Sequence, residues 1–356
     1  NNEVKTEKVN MFNYTSNGDI FTTPYNGTTE NDPNYLTNGL YTMDDEDGIS
    51  YYFRGNIDNN NVQFGEYEDD YYVYSYGDMY FQSLESCKER YGSCNASNSS
   101  KIKLASKGDK IYWKIIRLNG DGTLRLIYNG TPTNQTVFTV GIVSYDYRAY
   151  DPKYTGYTFD RDTNETDSFI KKEVDTWYNN TIGANSNYDN KVVEEKFCSD
   201  SSGYKLASDY GFNVSGYENT YMFAIDERLG MAAMSFSKPN SPTLKCPKTT
   251  ETYGGSYNLK VGLITADELA LAGEGILIKG NSYLYAAGTG QNYWTMTPSA
   301  FNSNSDKAYI KVQDASINET LGSNSFAVRP VINISVDNGF TSGDGTTENP
   351  YVITAE

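Results

Sequence analysis

Residues 112–130 read YWKIIRLNGDGTLRLIYNG, and the fold class turns on what the central NGDGT does. Asn and Asp at alternate positions suggest a calcium loop, whereas Asn-Gly-Asp-Gly between two apolar runs suggests a hairpin turn. Counting separates the two. With Asn119 as the first position of an EF-hand loop, Asp121 and Thr123 fall third and fifth. Leu124 then stands where Gly is required, and Gly130 where a bidentate Glu is required. The flanks WKIIRL and TLRLIY are strand sequences, with no helical character. The hairpin reading accounts for more: residues 119–122 tolerate positive φ at low cost, and Trp113, Ile115 and Ile116 are left for a core. Ser342-Gly-Asp-Gly-Thr346 repeats the same chemistry. Asp121 and Asp344 stay as weak surface calcium candidates, calcium being the one cofactor left open.

The rest of the chain extends that β reading. From Leu40 onward, ISYYFRG, NVQFGEY and YYVYSYGDMYF are aromatic runs separated by Asn, Asp and Gly clusters. NSYLYAAG, NYWTMT, KAYIKV and FAVRPVINISV continue the pattern towards a last strand after TSGDGTTENP. Two helices interrupt it. DSFIKKEVDTWYNNTI puts Ile170, Val174 and Trp177 on one face, with Asp167 expected to cap its first turn. In VGLITADELALAGEG, Thr265 and Glu268 form a capping box, Ile264 and Leu269 a hydrophobic staple, and Gly273 a left-handed stop. The expected class is therefore α+β and β-rich: antiparallel sheets with two or more short helices. Residues 1–38 read as an arm or linker and 39–356 as the main module.

Composition narrows function by exclusion. In 356 residues, 38% hydrophobic and 14% aromatic content suffices for a folded protein. Tyr dominates the aromatics, 33 against 3 Trp, which suits half-buried strand faces. A net charge of −17 repels phosphate backbones and anionic bilayers, so nucleic acid is not an expected partner. No apolar run reaches the length of a membrane span, and NNEVKTEKVN has the look of a mature terminus. Cys87, Cys94, Cys198 and Cys246 lack zinc-ligand spacing, so disulfides and an extracellular setting are expected. Of three possible pairings, Cys87–Cys94 and Cys198–Cys246 are preferred; free structural thiols are the plainer alternative. Asn95, Asn134, Asn164 and Asn318 head sequons that permit glycosylation in a secreted chain.

His is absent, which removes Ser-His-Asp and Cys-His catalysis and His-ligated metals together. Carboxylates remain, in the runs Asp44–Asp47 and Glu66–Asp70, and a glycan hydrolase needs only two at fixed separation. Acidic runs beside turn residues are more often solvated loops. No phosphate-binding glycine loop is present.

Taken in order, ISYYFRGNIDNNNVQFG, IYWKIIRLNGDGTLRLIYNG, VDTWYNN, KFCSD, SPTLKC, VGLITADELALAGEG, YWTMTPSAF and FAVRPVINIS resemble a group of uncharacterised exported surface proteins of gut Firmicutes and Mollicutes-like bacteria. The resemblance spans roughly residues 39–353. A stretch at about 66–110, carrying Cys87 and Cys94, departs from the group's pattern as an insertion. The C-terminal part is also similar to formylglycine-generating-enzyme and C-type-lectin-like folds. Enzymes of that fold use a terminal cysteine pair, and no Cys follows Cys246 here.

The resemblance and the missing chemistry together imply a noncatalytic bacterial cell-surface protein, an adhesin or the structural subunit of an extracellular filament or surface assembly. Its expected partners are copies of itself or host and cell-surface glycans. An adhesin would stack sugars on Tyr285, Tyr293 or Trp294, although core packing is the favoured account of these residues because large aromatics mostly serve burial. A filament subunit would donate the strand Val9, Met11, Phe12 and Tyr14 to a neighbour's sheet edge. A carboxylate-based glycan hydrolase or a calcium-dependent carbohydrate-binding module is the alternative.

Overall fold

The computed structural model describes residues 38–131, 139–158, 167–211, 213, 215–229, 241–247, 255–275, 282–285, 292–314, 316–337 and 339–354. The strand-donating residues Val9, Met11, Phe12 and Tyr14 lie outside them. The hairpin at 112–130 is present. Lys110–Leu118 pairs antiparallel with Leu124–Tyr128, and Leu118 faces Leu124 across the turn. Gly122 takes φ +94°, and Asp121 Oδ1 accepts from the Thr123 N–H and hydroxyl at 2.9 and 2.8 Å. Trp113, Ile115 and Ile116 are buried.

In chain order the fold begins with β1 (Gly39–Asp45), β2 (Gly48–Arg54) and β3 (Asn61–Glu66). Then come β4 (Tyr71–Tyr76), β5 (Met79–Phe81), helix α1 (Leu84–Arg90) and β6 (Ser100–Ala105). The hairpin supplies β7 (Lys110–Leu118) and β8 (Leu124–Tyr128). β9 (Gly141–Val143), α2 (Phe169–Asn180), α3 (Ser186–Asp189), β10 (Glu195–Ser199), β11 (Lys205–Leu206), β12 (Thr220–Met222) and α4 (Ala224–Arg228) occupy the middle. β13 (Gly255–Leu259), β14 (Val261–Gly262), α5 (Ala266–Leu271) and β15 (Tyr293–Asn302) follow. β16 (Lys307–Gln313), β17 (Ile317–Leu321), β18 (Phe326–Val328), β19 (Val331–Ile334) and β20 (Tyr351–Val352) complete it.

Two large sheets take up most of these strands, so the fold is β-rich α+β as expected. The first runs β1-β2-β7-β8-β19-β14, with β3 beside the start of β7 and β20 parallel to β3. The second runs β11-β12-β15-β18-β9-β5-β4-β6, with β16 and β17 continuing from β15. FAVRPVINISV, one apolar run in sequence, is split between them: β18 belongs to the second sheet and β19 to the first. Pro330 sits at the break. It has no N–H to give a ladder, while its carbonyl accepts from Tyr128 N–H at 2.8 Å. The expected strand NSYLYAAG also differs, because Ser282–Tyr285 forms a turn.

The segment at about 66–110 is built into the second sheet. β4, β5 and β6 form one end of it, and β5 joins β9 through Tyr80 and Ile142. Helix α1, which sequence reading missed, is started by a Ser83/Ser86 capping box and pinned by the Cys87–Cys94 disulfide. Cys198–Cys246 is the other disulfide, so both preferred pairings are present.

Helix α2 buries Ile170, Val174 and Trp177 completely. Trp177 meets Trp113 and Tyr128 edge-on, at ring distances of 6.1 and 5.4 Å. Its cap is Ser168, whose hydroxyl accepts from Lys171 N–H at 3.3 Å. Asp167, the expected cap, stands one residue too early and instead binds the Lys171 ammonium at 3.0 Å. The α5 capping box is as expected: Thr265 Oγ1 accepts from Glu268 N–H and Glu268 Oε2 from Thr265 N–H. Ile264 and Leu269 are both buried in the main core, and Gly273 takes φ +107°. No helix among the described residues is long and apolar enough to cross a membrane.

Candidate functional site

Three features legible in sequence converge on one cleft: the acidic β1–β2 turn, the NGDGT turn and the start of α5. Its lining includes Asp45, Arg117, Asn119, Arg125, Glu195 and Glu268, and the Cys198–Cys246 disulfide borders it. Asp45 ties the two turns together. Its Oδ2 accepts from Gly120 N–H at 2.7 Å and from the Arg117 guanidinium at 3.1 Å. Ser50 donates to the same oxygen at 2.5 Å, and Asp47 N–H to Oδ1 at 2.8 Å. Burial works against charge on Asp45, yet Ser50, Arg117 and the turn amides hold its carboxyl below the usual range. Gly120 is needed for this approach, since a Cβ there would lie 2.2 Å from Asp45 Oδ1 and 2.6 Å from Gly48 N.

Glu268 is the centre of the floor. Arg125 Nε lies 2.5 Å and Arg117 Nε 3.3 Å from its Oε1, while Oε2 serves the capping box. Burial opposes its charge, but the two guanidinium groups outweigh it and keep the carboxyl low. Arg125 also covers the Phe197 ring at 4.2 Å. Beside them, Arg228 grips Asp267 through two bonds of 3.1 and 2.8 Å and Asp200 through one of 2.8 Å. Every carboxylate on the floor (Asp45, Asp200, Asp267, Glu268) is thus held by an arginine.

The rim behaves differently. Glu195 on β10 is half-buried and hydrogen-bonded to Asp121 of the hairpin turn; burial first, and that neighbour second, push it up to about 7. Among the described residues the cleft holds about 50 Å³, room for a few waters, where a sugar-sized pocket needs roughly 300 Å³ or more.

The sequence candidates divide accordingly. Asp45 is brought into the cleft, and so is Asp121 at its edge. The Glu66–Asp70 run lies elsewhere: Glu66 meets Lys110, Asp69 and Asp70 face Lys107 and Lys103, and Glu68 accepts from Asn185. Such exposed pairs contribute little. Asp344, far from the cleft, holds its own turn by accepting from the Thr346 N–H and hydroxyl. Among the described residues, no group of three or more Cys, Asp or Glu is gathered to hold a metal ion.

Two of the three sugar-stacking candidates, Tyr293 and Trp294, are corrected by burial. Tyr293 and Trp294 are both 0% exposed. Tyr293 donates to Leu284 O at 2.9 Å and Trp294 to Val143 O at 2.8 Å, so both rings belong to the core. Tyr285 is half-buried in the turn that precedes them. Arg117 and Arg125 were overlooked in sequence. Their signal is an arginine inside an apolar strand run, IIRL and LRLI, which demands a buried acidic partner.

Comparison with family models, with curated proteins and with solved structures returned no match for this chain.

Proposed function

We propose that this chain is a noncatalytic module of a bacterial cell surface, the structural subunit of an extracellular assembly. The observation that carries the proposal is the arginine-bound floor of the cleft: Asp45 and Glu268, held charged by guanidinium groups, are poor proton donors, and Asp200 and Asp267 are already engaged by Arg228. Two disulfides suit an oxidising exterior. The burial of Tyr293 and Trp294 weighs against the sugar-binding adhesin. In the described residues β6 pairs only with β4 and β17 only with β16, leaving sheet edges open to an added strand. The arm around Val9–Tyr14 is the proposed donor. Electron microscopy of cell surfaces, with full-length protein and with residues 1–35 deleted, tests this. Ordered assemblies lost on deletion are expected; assemblies unchanged by it overturn donation by the arm.

One observation favours a second reading. Glu195, protonated near neutrality and hydrogen-bonded to Asp121, has the character of a general acid. Turnover of any polysaccharide in a panel, abolished by Glu195→Gln, would replace the structural reading with a hydrolytic one.

A further inference from the structure

Away from the cleft, Lys311 is sealed inside the protein. It lies on β16 opposite an irregularity in β15 between Trp294 and Pro298, and its side chain is 0% exposed. Its Nζ stands 2.5 Å from Oδ1 of Asp226, itself 0% exposed, and 3.4 Å from Oε2 of Glu319. Lys311 and Glu319 are register partners on β16 and β17, so the pleat holds them side by side. Asp226 reaches them from α4, 85 residues away in the chain. Ser299 donates to Glu319 Oε2 at 2.5 Å and so orients it. Among the described residues, Asp226 Oδ2 is buried and finds no hydrogen-bond partner.

That last fact does not suit an ordinary ion pair. A buried carboxylate kept for its charge has both oxygens satisfied, as Asp45 does. An oxygen left bare in an apolar site is best protonated, and a protonated carboxyl beside an amine is an acyl acceptor beside a nucleophile. Burial, the largest influence, pushes the Asp226 carboxyl up to about 6 despite Lys311. Burial also opposes charge on Lys311, whose ammonium is upheld by the facing carboxylates.

We propose that Lys311 and Asp226 condense into an intramolecular amide, with Glu319 carrying the protons. Glu319 takes a proton from the Lys311 ammonium, and the neutral Nζ attacks Cγ of the protonated Asp226. The new C–N bond forms, the C–O bond to one carboxyl oxygen breaks, and that oxygen departs as water with protons relayed through Glu319. The Lys311 ammonium, the protonated Asp226 carboxyl and the Glu319 carboxylate become an amide, one water and a protonated Glu319; nothing is oxidised or reduced, and no co-reactant is required. Two effects favour the step. Fixed neighbours react as if at effective concentrations of about 10⁵ M or more, and the amide removes two charges whose burial is costly. The product ties α4 to β16, and α4 carries the Arg228 that binds Asp267 and Asp200 under the cleft.

Mass spectrometry of the full chain, reduced and denatured, decides the matter. The expected mass is one water below that of the reduced sequence, and a digest should yield a branched peptide joining Lys311 to Asp226. A mass without that loss, or a loss mapped to another site such as a cyclised Asp, overturns the proposal. Glu319→Gln preserves shape, and its folding is checked by circular dichroism. It should keep the full mass and melt lower by roughly 10 °C, the scale for losing a long covalent loop. A branched peptide still present in Glu319→Gln would remove Glu319 from the reaction.

Discussion

The floor of the cleft and the interior site beneath β15 are built from the same ingredients, a buried cation set between carboxylates. In the first, Arg117 and Arg125 hold Glu268 and Asp45; in the second, Lys311 faces Asp226 and Glu319. The choice of cation separates them. A guanidinium never gives up its proton in a protein and offers several donors in a rigid fork, so its acids remain ionised and satisfied. An amine can lose its proton and become a nucleophile, and here it meets a carboxyl with one oxygen unpartnered. Arginine makes the first cluster a brace. Lysine makes the second capable of chemistry.

The comparison is broken most severely by removing the shared acid of the brace. Glu268→Ala leaves two buried guanidinium groups facing each other, and urea unfolding should show a loss of about 3–5 kcal/mol. Opening the disulfide beside the brace comes next. Replacing Cys198 and Cys246 by Ser frees a loop of sequence separation 48 and should cost about 4 kcal/mol. The Cys87–Cys94 loop, separation 7, should cost about 2.5 kcal/mol in the same assay.

A third test uses pH to sort the braced acids from the unbraced ones. Among the described residues no cation pairs with Glu173 or Glu274, and burial pushes both up to about 7 from an ordinary 4.5. The folded state then binds protons that the unfolded state has released. Stability is full below pH 4.5 and declines as pH rises to about 7, on the order of 3 kcal/mol for each group. Asp45 and Glu268, held low, act with the opposite sign: their contribution is present above the ordinary carboxylate range and is lost as pH falls below it. Melting temperatures should therefore peak in mild acid. A melting temperature that climbs steadily from pH 5 to pH 8 would contradict this account. The smallest effect belongs to the hairpin turn, where Gly120→Ala crowds Asp45 and should cost about 1–3 kcal/mol. Exposed Asp121→Ala should cost less than about 1 kcal/mol.

Legibility followed distance along the chain. The hairpin, the α5 capping box and the buried face of α2 are each specified by residues within a few positions, so their patterns survive in the sequence alone. The misplaced cap of α2 was a one-residue error between two good capping residues, Asp167 and Ser168. Tyr293 and Trp294 were open for a different reason: an aromatic on a strand favours a core but also suits a binding groove, and only burial separates the two. The division of FAVRPVINISV carried a local clue in Pro330, but which sheet receives each half did not.

Residue chemistry by itself determined that the chain would be β-rich, where the hairpin turn and the capped helix α5 lie, and that histidine chemistry is excluded. Those properties depend on short-range sterics and on composition. The tertiary structure alone decided that Asp45 would meet Arg117, 72 residues on, and that Lys311 would meet Asp226. Such contacts depend on which strands become neighbours. They depend as well on the low dielectric that burial creates around the charges, and neither is written in any local pattern.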